Sequence, residues 1–235
     1  MEQNAGTKQL SQGANRAETH IHGIYESASS IARRVLESMQ ALAGTTSCKG
    51  VQISELEKWA KENKCWIEDP ESLGVYADRG SENEVYVSYD GTEVIKYNDF
   101  RYSDDNLEPF FERYEAQNYY FPYCGYNLIG MGRNREGKTC AVMTQPFIVA
   151  EREATEEEIS TEMNRMGFRM EYDGECYTNG FHDIYDALPN NVLLGVDGRL
   201  YFIDTIIYKS SKDSIAIYRK QSPRFCNYVY LCKRK

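Results

Sequence analysis

A chain of 235 residues that is 41% hydrophobic and 13% aromatic is long enough for one large domain or two small lobes around a buried core. Its net charge of −9, from 36 acidic and 27 basic residues, opposes a phosphate backbone and argues against nucleic acid as a partner. No apolar stretch approaches the roughly 20 residues of a membrane span, the polar N-terminus lacks a signal peptide's apolar region, and seven scattered cysteines without a C-x-x-C pair read as free thiols in a reducing cytoplasm.

In chain order, residues 1–17 are rich in Gln, Asn, Gly, Thr and Ser and are expected to be disordered. An N-terminal helical segment spans 18–70. Apolar residues recur at helical spacing from 19 to about 43, and a second helix is predicted over 54–63, with Ser54 and Glu57 in capping-box spacing. Cys65-Trp66-Ile67 is a short extended piece. The pair His20 and His22, without acidic or thiol companions, reads as solvated.

Between 73 and 97 the apolar period becomes two. Gly74-Val75-Tyr76, Val85 to Tyr89 and Glu93 to Lys96 form a three-strand meander with a turn at Asp90-Gly91. The first loop contains Gly80 and Ser81, whose backbone N–H groups could face a phosphate or simply close a hairpin. A helix follows from about 108 to 118, with Pro109 in its first turn and Glu108, Glu112 and Glu115 on one face. Two further strands at 127–132 and 139–144 complete a five-stranded sheet with one helix. The run Gln145-Pro146-Phe147-Ile148-Val149 leaves it, because Pro146 removes a ladder donor. A helix over 156–166 ends at Gly167.

The most informative stretch begins at Asp186. Asn191 lies five residues on, two apolar runs flank Asp197-Gly198, and Asp204 closes the second run. A two-residue type I′ turn at Asp197-Gly198 predicts a β-ribbon in which Asn191 faces Asp204. An amide oxygen and a carboxylate so placed would suit Mg²⁺, which takes one or two protein oxygens. A strand-like run at 227–232 ends the chain.

The order of sheet, Lys96, Glu helix, sheet, connecting segment, helix, Asp-x-x-x-x-Asn, hairpin and Asp resembles the protein-kinase-like fold. It is most similar to the kinase domain of bacterial and phage polyvalent proteins. That resemblance rests on Trp59-Ala60, Cys65-Trp66-Ile67, Gly80 to Tyr86, Val94-Ile95-Lys96, Asn118 to Pro122, Gln145-Pro146-Phe147 and Asn191-Val192-Leu193, and covers about 53–207. It implies an α+β bilobal fold, with a nucleotide-binding N-lobe over 71–150 and a reduced C-lobe over 151–235, carried on a mobile genetic element.

The resemblance further implies ATP and Mg²⁺ as cofactors and a protein or small molecule as acceptor. Lys96 would hold the α and β phosphates, Glu112 would orient Lys96, and Asp186 would accept the substrate proton. Asn191 and Asp204 would bind Mg²⁺, Gly80 and Ser81 would cover the phosphates, and Gln145 and Phe147 would hold adenine at the hinge. The pattern departs at Ile184 and Leu188, where a His and a basic residue are expected, and at Thr205 and Ile206, where Phe and Gly are expected. Those departures, with 31 residues after Asp204, keep open the alternative of a pseudokinase or interaction module without turnover.

Overall fold

The computed structural model describes residues 5–174 and 176–221, with side chains over 23–172 and 176–220; the run at 227–232 and the side chains of His20 and His22 lie outside the described residues. The chain forms two compact units. One holds the chain up to Phe111 together with Tyr126–Phe147, and the other holds Glu112–Gly125 and the chain from Ile148 onward. Among the described residues, no helix is long and apolar enough to cross a membrane.

The first unit begins with α1 (Ala5–Ala43) and α2 (Lys49–Glu62). α1 starts well before residue 19, across a segment that composition marked as disordered. Extending a formed helix fixes one residue per hydrogen bond, whereas starting one fixes several, so a polar segment can continue a helix it would not nucleate. α2 also starts earlier than residue 54 and uses no side-chain cap at Cys48. Instead the N–H groups of Cys48 and Lys49 both donate to the carbonyl of Asp105, at 2.8 and 2.9 Å. Gln52 is almost fully buried; it donates to the carbonyl of Ala32 in α1 at 2.8 Å and accepts from the N–H of Leu107 at 2.8 Å.

The sheet of this unit has six strands rather than five: β1 (Trp66–Ile67), β2 (Gly74–Arg79), β3 (Asn83–Ser88), β4 (Glu93–Asn98), β5 (Asn127–Arg133) and β6 (Thr139–Pro146). Their order is β1-β5-β6-β4-β3-β2, and β1 joins β5 in parallel at the edge. A two-residue strand is below what alternation can reveal. Its backbone lies so close that a Cβ on Gly130 would sit 2.0 Å from the carbonyl oxygen of Cys65. Glu57 of α2 ties the helix to the sheet, accepting from Arg133 at 3.1 Å and Thr139 at 2.7 Å besides Lys61 at 2.6 Å. On one sheet face Ile95 and Tyr97 pack with Tyr86, Cys140 and Val142. The period of two therefore sends Lys96 to the opposite face.

α3 (Glu108–Tyr120) starts where Asn106 accepts from the N–H of Glu108 at 3.0 Å, and its C-terminal part belongs to the second unit. That unit contains β7 (Ala150–Glu153), α4 (Glu156–Arg165), β8 (Arg169–Glu171), β9 (Cys176–Thr178), β10 (His182–Tyr185), β11 (Val192–Gly195), β12 (Leu200–Phe202), β13 (Ile206–Lys209) and α5 (Ser214–Gln221). The strands form one sheet ordered β13-β10-β9-β8 and another ordered β12-β11-β7. Thr155 and Glu158 form a capping box at the start of α4, and Gly167, with φ +85°, follows its C-cap at Met166. The core gathers Phe121, Ile159, Met163, Phe168, Ile184, Val192 and Phe202, with Phe121 stacked on Phe202 at 4.4 Å between ring centroids.

Candidate active site

In the first unit Lys96 is only 6% exposed. Its flanking partners across the sheet are Val85 and Met143, so the stem lies in an apolar strip. The ammonium donates to the hydroxyl of Tyr126 at 3.3 Å and sits 5.2 Å from that ring's centroid. Gly80 and Ser81 occupy the tight turn between β2 and β3, where the N–H of Gly80 donates to the carbonyl of Asn83 at 2.9 Å. That N–H is thus used in closing the hairpin.

Gln145 is buried inside β6, opposite Val94, and pairing continues through Pro146 opposite Glu93. The sequence placed the exit from the sheet at Pro146, but a proline at a strand's last residue removes no donor that the ladder needs. Phe147 then donates its N–H to Thr92 at 2.9 Å.

In the second unit the spacing from Asp186 to Asn191 has a local cause. Asp186 takes φ +57°, a left-handed conformation that Asp tolerates better than most residues. Pro189 holds Leu188 extended at φ −116° and ψ 161° and starts the short 3₁₀ turn Pro189–Asn191. The N–H of Asn191 donates to the carbonyl of Leu188 at 2.8 Å, and its side-chain amide reaches back to the carbonyl of Asp186 at 2.9 Å. Four intervening residues are what one reversal plus one turn require for the Asn amide to close the loop on the Asp backbone.

The ribbon itself differs by one residue from expectation. Val192 pairs with Phe202, Leu193 with Tyr201 and Leu194 with Leu200. Within the closing pair Gly195 and Arg199 the loop has three residues, Val196 to Gly198, with bonds from Gly195 N–H to Arg199 and from Gly198 N–H to Gly195, both 2.9 Å. Only Gly198 has a positive φ, at +79°, so this is a turn followed by a single left-handed glycine rather than a type I′ turn. The Asp197 carboxylate stabilises that choice by accepting from the N–H of Arg199 at 3.1 Å and the hydroxyl of Tyr201 at 2.8 Å. Asn191 consequently faces Ile203, whose N–H donates to it at 3.0 Å, and Asp204 follows one position later.

Asp204 is exposed, while the next residue, Thr205, is buried. The Thr205 hydroxyl donates to the side-chain oxygen of Gln117 at 3.0 Å, and the Gln117 amide donates to the carbonyl of Phe202 at 2.7 Å. Asn191 and Asp204 carry hard oxygen donors. The Asn191 side-chain oxygen accepts once, from Asn190 at 2.8 Å, and keeps a second lone pair. No group of three or more His, Cys, Asp or Glu side chains that could hold a metal occurs among the described residues. An amide and a carboxylate are oxygen donors of the kind that Mg²⁺ takes together with water and phosphate, but the observed register sets Asn191 opposite Ile203 rather than Asp204.

Glu112, for which the sequence suggested Lys96 as partner, is ion-paired with Lys209 of β13. At position 184 the expected His is replaced by the fully buried Ile184. His182 lies on the same strand, with Nδ1 3.0 Å from the Tyr120 hydroxyl, which also accepts from Asn179 at 3.0 Å. Burial, and then the nearby Lys209, hold His182 below the usual imidazole pKa.

Sequence reasoning missed Tyr126, Gln117 and Thr205. Tyr126 stands just outside a strand, and Gln117 lies among acidic and aromatic neighbours that suggest a solvated helix. Only the burial of a polar residue marks either as special, and burial is not visible in composition. Thr205 was visible only as a departure from a Phe.

The model of a family described as serine/threonine/tyrosine kinase found in polyvalent proteins matches residues 49–211, well over half of the chain. No curated protein and no solved structure matches it.

Proposed function

This chain belongs to the family of serine/threonine/tyrosine kinases found in polyvalent proteins and is a kinase-like phosphotransferase; from that premise we propose that it transfers the γ-phosphoryl group of ATP, with Mg²⁺, to a hydroxyl of a protein or small molecule. The observation that best supports turnover is the Asp186–Asn191 loop, closed by the 2.9 Å bond from the Asn191 amide to the Asp186 carbonyl. A carboxylate on a loop so braced can orient a hydroxyl and take its proton.

Lys96 is the phosphate-binding cation of this reading, held by Tyr126 on an apolar strip that strengthens its field. Asn191 and Asp204 are the residues that would hold Mg²⁺. When bound, the metal supplies neutralisation of phosphate charge. Gly80, Ser81, Gln145 and Phe147 keep their proposed places around nucleotide, but the N–H groups of Gly80 and Phe147 are already bonded to Asn83 and Thr92. Ser81 and side chains would then carry more of that recognition. The setting of the family is the ground for proposing a mobile-element origin, and cysteines 48, 65, 124, 140 and 176, none of them in a disulfide among the described residues, are the ground for proposing a reducing cytoplasm.

A second reading, a nucleotide-binding module without turnover, is favoured by the occupied Gly80 N–H and by Leu188 where a basic residue is expected. A thermal shift with ATP, with and without Mg²⁺, together with phosphoryl-transfer assays on wild type and Asp186→Ala, separates the two. Ligand at about 100 times its Kd should add about 2.7 kcal/mol of stability. Transfer should fall by about 10²-fold or more in Asp186→Ala while binding persists. Equal, negligible turnover by both proteins would favour the module, and absence of any nucleotide effect would sink both readings.

A further inference from the structure

The last turns of α3 hold the segment that carries Asp204, and they hold it through polar atoms. Gln117 is 2% exposed and Thr205 is 7% exposed. The Gln117 amide uses both of its ends: its NH₂ donates to the carbonyl of Phe202 at 2.7 Å, and its oxygen accepts from the Thr205 hydroxyl at 3.0 Å. Cys124 adds a weaker thiol donor to the same Phe202 carbonyl at 3.3 Å. One helical turn beyond Gln117, the Phe121 ring stacks on the Phe202 ring at 4.4 Å.

Asp204 thus lies between two anchored residues, although its own side chain faces solvent. The chemistry at position 117 is specific. A Glu would set a buried carboxylate against the Phe202 carbonyl, and a Leu would leave both that carbonyl and the Thr205 hydroxyl without this partner. The amide and hydroxyl thus fix the backbone at Phe202 and Thr205 in a way that burial of apolar groups alone would not.

We infer that Gln117 is a positioning residue that, through Thr205 and the Phe202 carbonyl, sets the location of the Asp204 carboxylate for metal binding. The inference rests on the reading of Asp204 as a Mg²⁺ ligand. Groups that orient a ligand from behind typically change metal affinity by 10–100-fold when removed.

The test uses the full chain as wild type, Gln117→Leu, Thr205→Val, Thr205→Ser and the Gln117→Leu/Thr205→Val double variant. Two quantities are measured: the Mg²⁺ concentration at half-maximal ATP-dependent thermal shift, and amide hydrogen exchange over residues 203–206. Gln117→Leu and Thr205→Val should each raise the half-saturating Mg²⁺ about tenfold and speed exchange over 203–206, with Mg²⁺-free nucleotide binding unchanged. Thr205→Ser keeps the hydroxyl and should behave as wild type, and the double variant should be little worse than Gln117→Leu because both remove one coupled network.

Variants that melt at lower temperature yet keep the wild-type Mg²⁺ half-saturation would overturn the inference and leave the functional reading standing. Wild type without any Mg²⁺-dependent nucleotide binding would overturn both. Should Gln117→Leu fail to fold, the contrast between Thr205→Val and Thr205→Ser decides the matter alone.

Discussion

The side-chain amide of Asn191 donates to the backbone carbonyl of Asp186 at 2.9 Å, and Asp186 itself is held at φ +57°. Left-handed backbone costs a residue with a Cβ about 1–2 kcal/mol. The residue proposed to take a proton is therefore also one that the fold holds against its preference. Asp186→Gly should retain or gain up to about 1 kcal/mol in chemical denaturation while losing phosphoryl transfer by about 10²-fold. A Gly variant less stable than Asp186→Ala would show that left-handed backbone strain does not govern this position.

Lys96 and Tyr126 give a second prediction, on nucleotide affinity. Tyr126→Phe keeps the ring beside the ammonium and deletes the hydroxyl acceptor, a net loss of about 1 kcal/mol and hence about fivefold in Kd by titration calorimetry. Tyr126→Leu also removes the cation–π contact and should lose about tenfold or more. Wild-type affinity in both variants would mean that Lys96 is oriented without Tyr126.

Glu112 and Lys209 are partners on the surface of the second unit, with side chains 32% and 67% exposed. Exposed pairs contribute about 0–1 kcal/mol, so Glu112→Gln and Lys209→Met should each change stability by no more than that and leave nucleotide affinity alone. A tenfold loss of ATP affinity confined to Glu112→Gln would instead assign Glu112 to Lys96.

A pH dependence follows from Glu57, whose carboxyl is lowered from 4.5 to about 2, first by the Lys61 hydrogen bond and then by that from Thr139. A depressed folded-state pKa stabilises above the unfolded value and is lost on acidification. The stability of wild type relative to Glu57→Gln should thus be fully present above about pH 5 and shrink as the pH falls from about 4.5 towards 2. A difference independent of pH across that window in urea melts would refute the assignment.

The ribbon in the second half of the chain was legible as an element but not in its register, while β7, β9, β13 and α5 were not read from the sequence. Alternation and glycine placement gave the ribbon from Val192 to Phe202, yet the Asp197 side chain, by bonding Arg199 and Tyr201, selects a three-residue loop and shifts every facing pair by one. A local side-chain preference of that kind competes with the Asp-Gly turn signal and cannot be weighed from spacing. The Asp-x-x-x-x-Asn motif was legible through its kinase-like spacing, whereas the reversal at Asp186 that closes it was not. The anchors Tyr126 and Gln117 were not, since each matters through a partner distant in sequence. Boundaries failed where backbone donors were satisfied from afar, as at α2, whose first N–H groups bond Asp105.

The buried amide of Gln52 spans Ala32 in α1 and Leu107 just before α3. The family match starts at residue 49, inside the sequence that this amide joins. A fragment trimmed to 49–211 would keep Gln52 and Leu107 but lose Ala32, leaving the Gln52 NH₂ group without that acceptor and exposing to water the side of Gln52 that α1 covers. A fragment that keeps this amide bonded must therefore begin upstream of the family match and include Ala32, and a 49–211 fragment should melt at a lower temperature than one that starts before Ala32.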